Sequence, residues 1–74
     1  MKADDLKEFT LLNDTSFFLN GNEYYIFLLN DGYNVGNYND EESQSFETFE
    51  YMLENWKIEG TLLKDLLDKI ELND

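Results

Sequence analysis

Carboxylates are the side chains of this sequence with the clearest capacity for chemistry. Six of them crowd residues 40–54, and they are Asp40, Glu41, Glu42, Glu47, Glu50 and Glu54. Paired carboxylates serve as acid and base in glycosidases, and clustered ones hold divalent cations. Because the chain has 17 acidic residues, some of them lie close together by chance, so proximity alone indicates neither chemistry.

Other catalytic and metal-binding groups are scarce. The chain has no Cys and no His, which excludes thiolate nucleophiles, zinc–thiolate sites and the commonest general base. Residues 30–42 contain Asn, Asp and Gly as a calcium loop does, but Gly32 and Gly36 do not fit the EF-hand spacing. We therefore predict no catalytic residue, no cofactor and no metal site, and hence not an enzyme. A loose divalent-cation site in this region is the minor alternative.

The charge balance indicates the kind of partner. Seventeen acidic residues oppose five lysines, giving a net charge of −12 at pH 7. No basic residue lies between Lys7 and Lys57. A field of this sign repels nucleic acid and anionic membranes, and it attracts basic protein surfaces. We expect a basic protein surface as partner, with no direct nucleic-acid or membrane binding.

Length and composition set the scale of the fold. Seventy-four residues make one small domain, and a hydrophobic content of 42% suffices for a packed core. The first five residues contain no apolar segment of the kind that a secretory signal has, and there are no cysteines. We therefore expect a cytoplasmic protein.

The apolar run at residues 24–29 is predicted to be the middle strand of a three-stranded antiparallel meander. Asn20-Gly21 and Asp31-Gly32 flank it and are typical of tight hairpin turns. The first strand is predicted at residues 15–19 and the third at 33–38.

These turns predict the strand register. The Asn20-Gly21 loop places Phe17 opposite Tyr24 and Phe18 opposite Glu23, unless Asn22 joins a longer loop. The Asp31-Gly32 loop places Leu28 opposite Val35 and Ile26 opposite Asn37.

Helices are predicted before and after the strands along the chain. Residues 3–9 form a short N-terminal helix, and residues 45–71 form two amphipathic helices. The first of the two has Ser43 or Ser45 as its cap and carries an apolar stripe of Phe46, Phe49, Leu53 and Trp56. The second begins at Thr61 and carries a stripe of Leu63, Leu66, Leu67 and Ile70. Residues 71–74 are predicted to be a frayed tail.

Together these elements predict a two-layer α+β domain. Residues 1–12 form the N-terminal segment, 15–38 the sheet and 45–71 the two helices. The sheet face that receives the helices comprises Phe17, Leu19, Tyr24, Ile26, Leu28 and Val35. The opposite face carries Phe18, Tyr25, Phe27, Leu29 and Tyr38. Two alternatives stay open for this second face: Leu6, Phe9, Leu11 and Leu12 cover it, or it is an interface in a homodimer or with a partner.

The predicted first long helix has an unusual charge pattern. Glu47, Glu50 and Glu54 form a stripe with no lysine between them, so that neighbouring carboxylates repel. The predicted last helix instead mixes signs, with Lys64 near Asp68 and Asp65 near Lys69. This contrast favours a binding role for the acidic stripe over the alternative, a merely solubilising face.

The chain resembles the small phage-encoded inhibitors of host defence. The features that carry the resemblance are its small size and acidity, the predicted short helix and meander, the Asn-Asp-Gly turn at residues 30–32 and the acidic run at residues 40–54. Some anti-CRISPR proteins of this kind block nucleases by mimicking DNA. The resemblance implies that carboxylates spaced along a loop and helix stand in for phosphates in an Arg- and Lys-lined channel.

We therefore predict a non-enzymatic acidic inhibitor that binds the basic surface of another protein, in its most specific form a DNA or RNA mimic that blocks a defence nuclease. The alternatives are a toxin-immunity or antitoxin-like protein, and a small adaptor that assembles through its aromatic sheet face. The six carboxylates of residues 40–54 are the predicted partner-binding residues. Phe18, Tyr25, Phe27 and Tyr38 are the predicted second interface.

Overall fold

The computed structural model describes residues 1–73 and shows an α+β fold, as predicted. The helices are Ala3–Leu12 (α1) and Phe49–Asn55 (α2). The strands are Thr15–Leu19 (β1), Asn22–Leu29 (β2), Gly32–Asn37 (β3), Ser43–Phe46 (β4), Lys57–Ile58 (β5), Thr61–Leu62 (β6) and Glu71–Asn73 (β7). A 3₁₀ turn spans Leu63–Asp65.

The main sheet has five antiparallel strands in the order β4-β3-β2-β1-β7. Its centre is the predicted three-stranded meander. The prediction of only three strands was wrong, because β4 pairs with one edge of the meander and β7 with the other. Strands β5 and β6 form a separate hairpin.

The turn between β1 and β2 is as predicted. Asn20 and Gly21 have φ values of 51° and 83°, which two-residue hairpin turns of type I′ require. Phe17 pairs with Tyr24 and Phe18 with Glu23, which confirms the predicted register.

The register between β2 and β3 differs from the prediction. Leu29 pairs with Gly32 and Ile26 with Val35, so the loop consists of residues 30–31 and Gly32 already belongs to β3. A Cβ on Gly32 would collide with the backbone carbonyl of Phe46 in β4, so only glycine fits where β4 comes this close. The pairing is displaced by two residues, which leaves every side chain on its predicted face.

The predicted start of the first long helix was wrong. Ser43, Ser45 and Phe46 lie in β4, where Phe46 pairs with Tyr33. The helix begins only at Phe49, because the Thr48 hydroxyl caps it by accepting a hydrogen bond from the Tyr51 amide at 3.1 Å. Of the acidic run at residues 40–54, Asp40, Glu41 and Glu42 therefore lie in the connection between β3 and β4.

The predicted last helix does not form in residues 61–70, all of which the structure describes. Glu59 and Gly60, with φ values of 52° and 86°, make a second type I′ turn, and Thr61 lies in β6 instead of capping a helix. Leu63, Leu66 and Ile70 are buried, but in a 3₁₀ turn and the turns that follow it.

The predicted tail also differs. Residues 71–73 form β7, in which Leu72 pairs with Phe17, and the last predicted tail residue, Asp74, lies outside the described residues. Asp68 pairs with the Met1 amino group at 3.2 Å rather than with Lys64.

One hydrophobic core lies between the main sheet and a second layer made of α1, α2, the β5–β6 hairpin and the 3₁₀ turn. Leu6 comes from α1, Met52 from α2 and Trp56 from the end of α2, and all three are buried. The predicted core face of the sheet is confirmed apart from Leu28, which is 39% exposed. Helix α1 is three residues longer than predicted and packs on this same face through Leu6.

Within residues 1–73, neither helix has the length and apolar character needed to cross a membrane.

Candidate functional site

The connection between β3 and β4 presents the first three predicted partner-binding carboxylates. Asp40, Glu41 and Glu42 are all exposed. The loop is held by its own hydrogen bonds: the Glu42 amide donates to Oδ1 of Asp40 at 3.1 Å, and the Asn39 amide donates to Oδ1 of Asn37 at 2.8 Å. Such side-chain-to-backbone bonds order a turn locally. The result is an acidic loop with a defined backbone.

The other three predicted carboxylates do not form one helical stripe. Glu47 lies between β4 and α2, before the Thr48 cap, while Glu50 and Glu54 lie four residues apart on α2. The stripe prediction was wrong because it extended the helix back through residues that pair with β3. Strand β4 therefore separates the acidic loop from Glu47, and the six carboxylates fall into two groups.

Glu50 differs from the other five because it has a cationic partner. The Lys7 ammonium donates to Oε2 of Glu50 at 3.0 Å, which joins α1 to α2. This hydrogen bond raises the pKa of Lys7 and lowers the pKa of Glu50. The Lys7 nitrogen also lies 6.0 Å from the ring centroid of Phe49. Part of the charge of Glu50 is thus compensated within the chain.

The remaining five predicted carboxylates form no ion pair within residues 1–73. All five are exposed, and they are Asp40, Glu41, Glu42, Glu47 and Glu54. These carboxylates lie before and after β4 along the chain, and none of them is paired with a cation within residues 1–73.

A second constellation, which the sequence analysis missed, joins two hairpin turns. The Glu59 carboxylate accepts hydrogen bonds from the Tyr24 hydroxyl at 2.8 Å, from Nδ2 of Asn20 at 3.0 Å and from Nδ2 of Asn22 at 3.4 Å. The amide of Asn20, then Tyr24 and Asn22, lower the pKa of Glu59. The available signal was Gly60, which directly precedes Thr61, the predicted helix start, and which suits the positive φ of a hairpin turn.

A polar cleft of about 250 Å³ lies between the acidic loop and the β5–β6 turn. Asp40, Glu42 and Glu59 line it together with Lys57. Despite these carboxylates, residues 1–73 contain no group of three or more acidic side chains placed to hold a metal ion.

Three of the four residues that one alternative placed over the second face of the sheet are instead buried in the core or largely exposed. Leu6 packs into the core on the other face, and Leu11 and Leu12 are 58% and 75% exposed. Phe18 is 41% and Tyr38 52% exposed on this face, while Tyr25 and Phe27 are half-buried. These four aromatic residues were predicted as a second interface, and the strand register brings them to one face.

Comparison with protein-family models, with curated proteins and with solved structures finds no match to this chain.

Proposed function

We propose that this domain is a non-enzymatic, acidic protein-binding inhibitor that occupies a basic surface of another protein. The observation that carries the proposal is the set of five exposed carboxylates, before and after β4 along the chain, that form no ion pair within residues 1–73. Carboxylates that meet a basic surface accelerate encounter and fix orientation, and this effect weakens as salt rises.

The hydrogen bonds within the acidic loop favour binding over a merely solubilising role. A solubilising face needs charge but no fixed geometry. Here a side-chain oxygen of Asp40 and one of Asn37 each accept a hydrogen bond from the loop backbone. A loop that is ordered before binding loses less conformational entropy when a partner docks.

In the most specific form of the proposal, the carboxylates mimic the phosphates of DNA or RNA, and the partner is a nucleic-acid-binding protein such as a defence nuclease in the cytoplasm. The resemblance to anti-CRISPR proteins contributes to this form through size, acidity and the acidic run. The likeness in the order of helices and strands contributes less, because residues 63–70 do not form the expected helix.

A second candidate is an immunity, antitoxin-like or adaptor protein that binds through the aromatic face. The exposed rings of Phe18 and Tyr38 favour it. Salt distinguishes the two candidates, since an interface centred on aromatic burial persists at high ionic strength whereas one built on charge does not.

The test is affinity capture from a host lysate, with the protein immobilised and the washes made at low and at high salt. The variant Glu41→Lys, Glu42→Lys and Glu47→Lys reverses three exposed charges beside β4. The control Glu8→Lys, Asp14→Lys and Asp31→Lys changes the net charge equally at exposed positions elsewhere.

We expect the wild-type protein and the control to capture the same basic protein, which high salt releases and which the β4 variant fails to capture. Equal capture by both variants would contradict the proposed role of these carboxylates.

A further inference from the structure

The open face of the sheet carries a row in which aromatic and acidic side chains alternate. Phe18 in β1 lies directly opposite Glu23 in β2 and Glu71 in β7. The Tyr38 amide donates to the Glu23 carbonyl at 3.0 Å, so Tyr38 extends the row on the far side of Glu23. Directly opposed residues of antiparallel strands share a face, with Cβ atoms about 5 Å apart. We name Tyr38, Glu23, Phe18 and Glu71 the aromatic–carboxylate row.

The Tyr38 ring of this row and two rings beside it form a continuous platform. The ring centroid of Tyr25 lies 4.9 Å from that of Phe27 and 5.2 Å from that of Tyr38. The Tyr25 ring covers Gly36, whose missing side chain leaves room for it: a Cβ there would lie 2.6 Å from the Tyr25 hydroxyl. The rings are therefore held in place by one another and by the shape of β3.

Side chains of this kind, in this arrangement, suit a guanidinium group. A planar cation stacks on an aromatic ring while its N–H groups donate to carboxylates at the ring's edge. No strand of the five-stranded sheet carries a lysine. The strands of this face therefore contribute rings and carboxylates but no cationic side chain.

We propose that the aromatic–carboxylate row is a docking surface for arginine side chains of a protein partner. This inference rests on the proposed function and deepens it. The sheet face makes the specific contacts with the partner, and the acidic loop attracts the partner at long range.

The negative charge of the chain favours a cationic partner over a second copy of the chain as the occupant of this face. Two copies that met through this face would bring together Glu23 and Glu71 of both chains, each chain having a net charge of −12. Like charges face to face oppose association, whereas a cationic partner gains from the same field. Stacking platforms on sheets also suit bases, but the negative field repels nucleic acid.

The experiment uses the full-length, isotope-labelled protein and records its amide NMR signals at low ionic strength. The probe is a synthetic peptide of alternating arginine and glycine, compared with a lysine–glycine peptide of equal length. The test variant is Phe18→Ala with Tyr38→Ala, and the control is Tyr51→Ala, which removes an exposed ring outside the sheet. Signal dispersion and the unfolding midpoint check that each variant folds.

We expect saturable shifts along β1, β2 and β7 around the row, with the arginine peptide binding several-fold more tightly than the lysine peptide. The double variant should bind the arginine peptide roughly tenfold more weakly, from two lost cation–π contacts, and the control should bind as the wild type does.

Shifts confined to residues 40–42 and α2, with full affinity in the double variant, would overturn this inference and leave the proposed function standing. The absence of any shift would contradict both. Signals of the row that move on dilution of the protein alone would show a second copy on this face and would also overturn it.

Discussion

The hydroxyl of Tyr24 donates a 2.8 Å hydrogen bond to Oε2 of Glu59, across 35 positions of sequence. Asn20 and Asn22 donate to the same carboxylate from the β1–β2 turn. Glu59 itself has a φ of 52°, a left-handed conformation that glutamate seldom adopts. Three hydrogen-bond donors thus stabilise a residue whose backbone conformation is unfavourable. They also connect the β5–β6 hairpin to the β1–β2 hairpin.

Replacing Glu59 should therefore destabilise the fold. In Glu59→Ala, the Tyr24 hydroxyl loses its charged acceptor in a side chain that is only 7% exposed, while the backbone strain stays. We expect the unfolding midpoint to fall by several degrees, followed through the single tryptophan, Trp56. Glu54→Ala, which removes an exposed carboxylate that forms no ion pair within residues 1–73, is the control. Equal midpoints for the two variants would contradict the role given to Glu59.

The same contact predicts a dependence on acid. The pKa of Glu59 is lower in the folded protein than its ordinary value of 4.5, so its contribution is present above that pH and is lost as the pH falls below it. Measured from neutral pH downward, Glu59→Gln should lose less stability than the wild type over this range. Parallel curves for the two proteins would show that Glu59 is not involved.

Tyr24 predicts a loss of stability at the alkaline end. Burial, together with the hydrogen bond to Glu59, raises its pKa to about 12 from an ordinary 10. Its contribution is complete below pH 10 and declines as the pH rises toward 12, because the unfolded chain then releases the phenol proton more readily. Absorbance titration of phenolate should reveal one tyrosine with a pKa of about 12 that is missing in Tyr24→Phe. No change in that variant would refute the assignment.

Gly36 offers a test of the aromatic platform that removes no ring and no charge. In Gly36→Ala the new Cβ would lie 2.6 Å from the Tyr25 hydroxyl, so the Tyr25 ring must swing away from Phe27 and Tyr38. We expect binding of the arginine–glycine peptide to weaken by about threefold. Gly21→Ala, where a Cβ meets nothing but φ is 83°, controls for a general loss of stability. Undiminished affinity in folded Gly36→Ala would count against the platform.

Lys7 limits what Glu50 can contribute to binding. Lys7→Ala should free the Glu50 carboxylate for a cationic partner, because the 3.0 Å ion pair between them is lost. Binding of a lysine–glycine peptide should therefore strengthen more than in Lys64→Ala, which changes the net charge equally but removes a lysine that forms no ion pair among the described residues. Calorimetric titration measures both. Equal gains would mean that only net charge matters.

Local patterns in the sequence predicted the centre of the fold. The Asn20-Gly21 turn and the run at residues 24–29 sufficed for the meander and for the faces of its strands. The second register was displaced because the position of Gly32 depends on the approach of Phe46, fourteen residues later. The pairing of β7 with β1 joins Leu72 to Phe17, and no local pattern indicates so distant a contact.

The spacing of Leu63, Leu66 and Ile70 shows how a helical period can mislead. These side chains are all buried, so their apolar character was interpreted correctly, but successive tight turns achieve the same burial over a short stretch. In the site, exposure of the acidic residues followed from the sequence. The Lys7–Glu50 pair did not, since it depends on how α1 packs beside α2.

Competition with nucleic acid tests the central claim most directly. The protein captured by the immobilised domain is purified and bound to a fluorescent DNA or RNA strand, and the domain is added while anisotropy is recorded. We predict that the wild-type domain releases the strand, less effectively as salt rises, and that the Glu41→Lys, Glu42→Lys, Glu47→Lys variant does not. A strand that stays bound while the domain also binds would contradict the account, because the two would then occupy different surfaces.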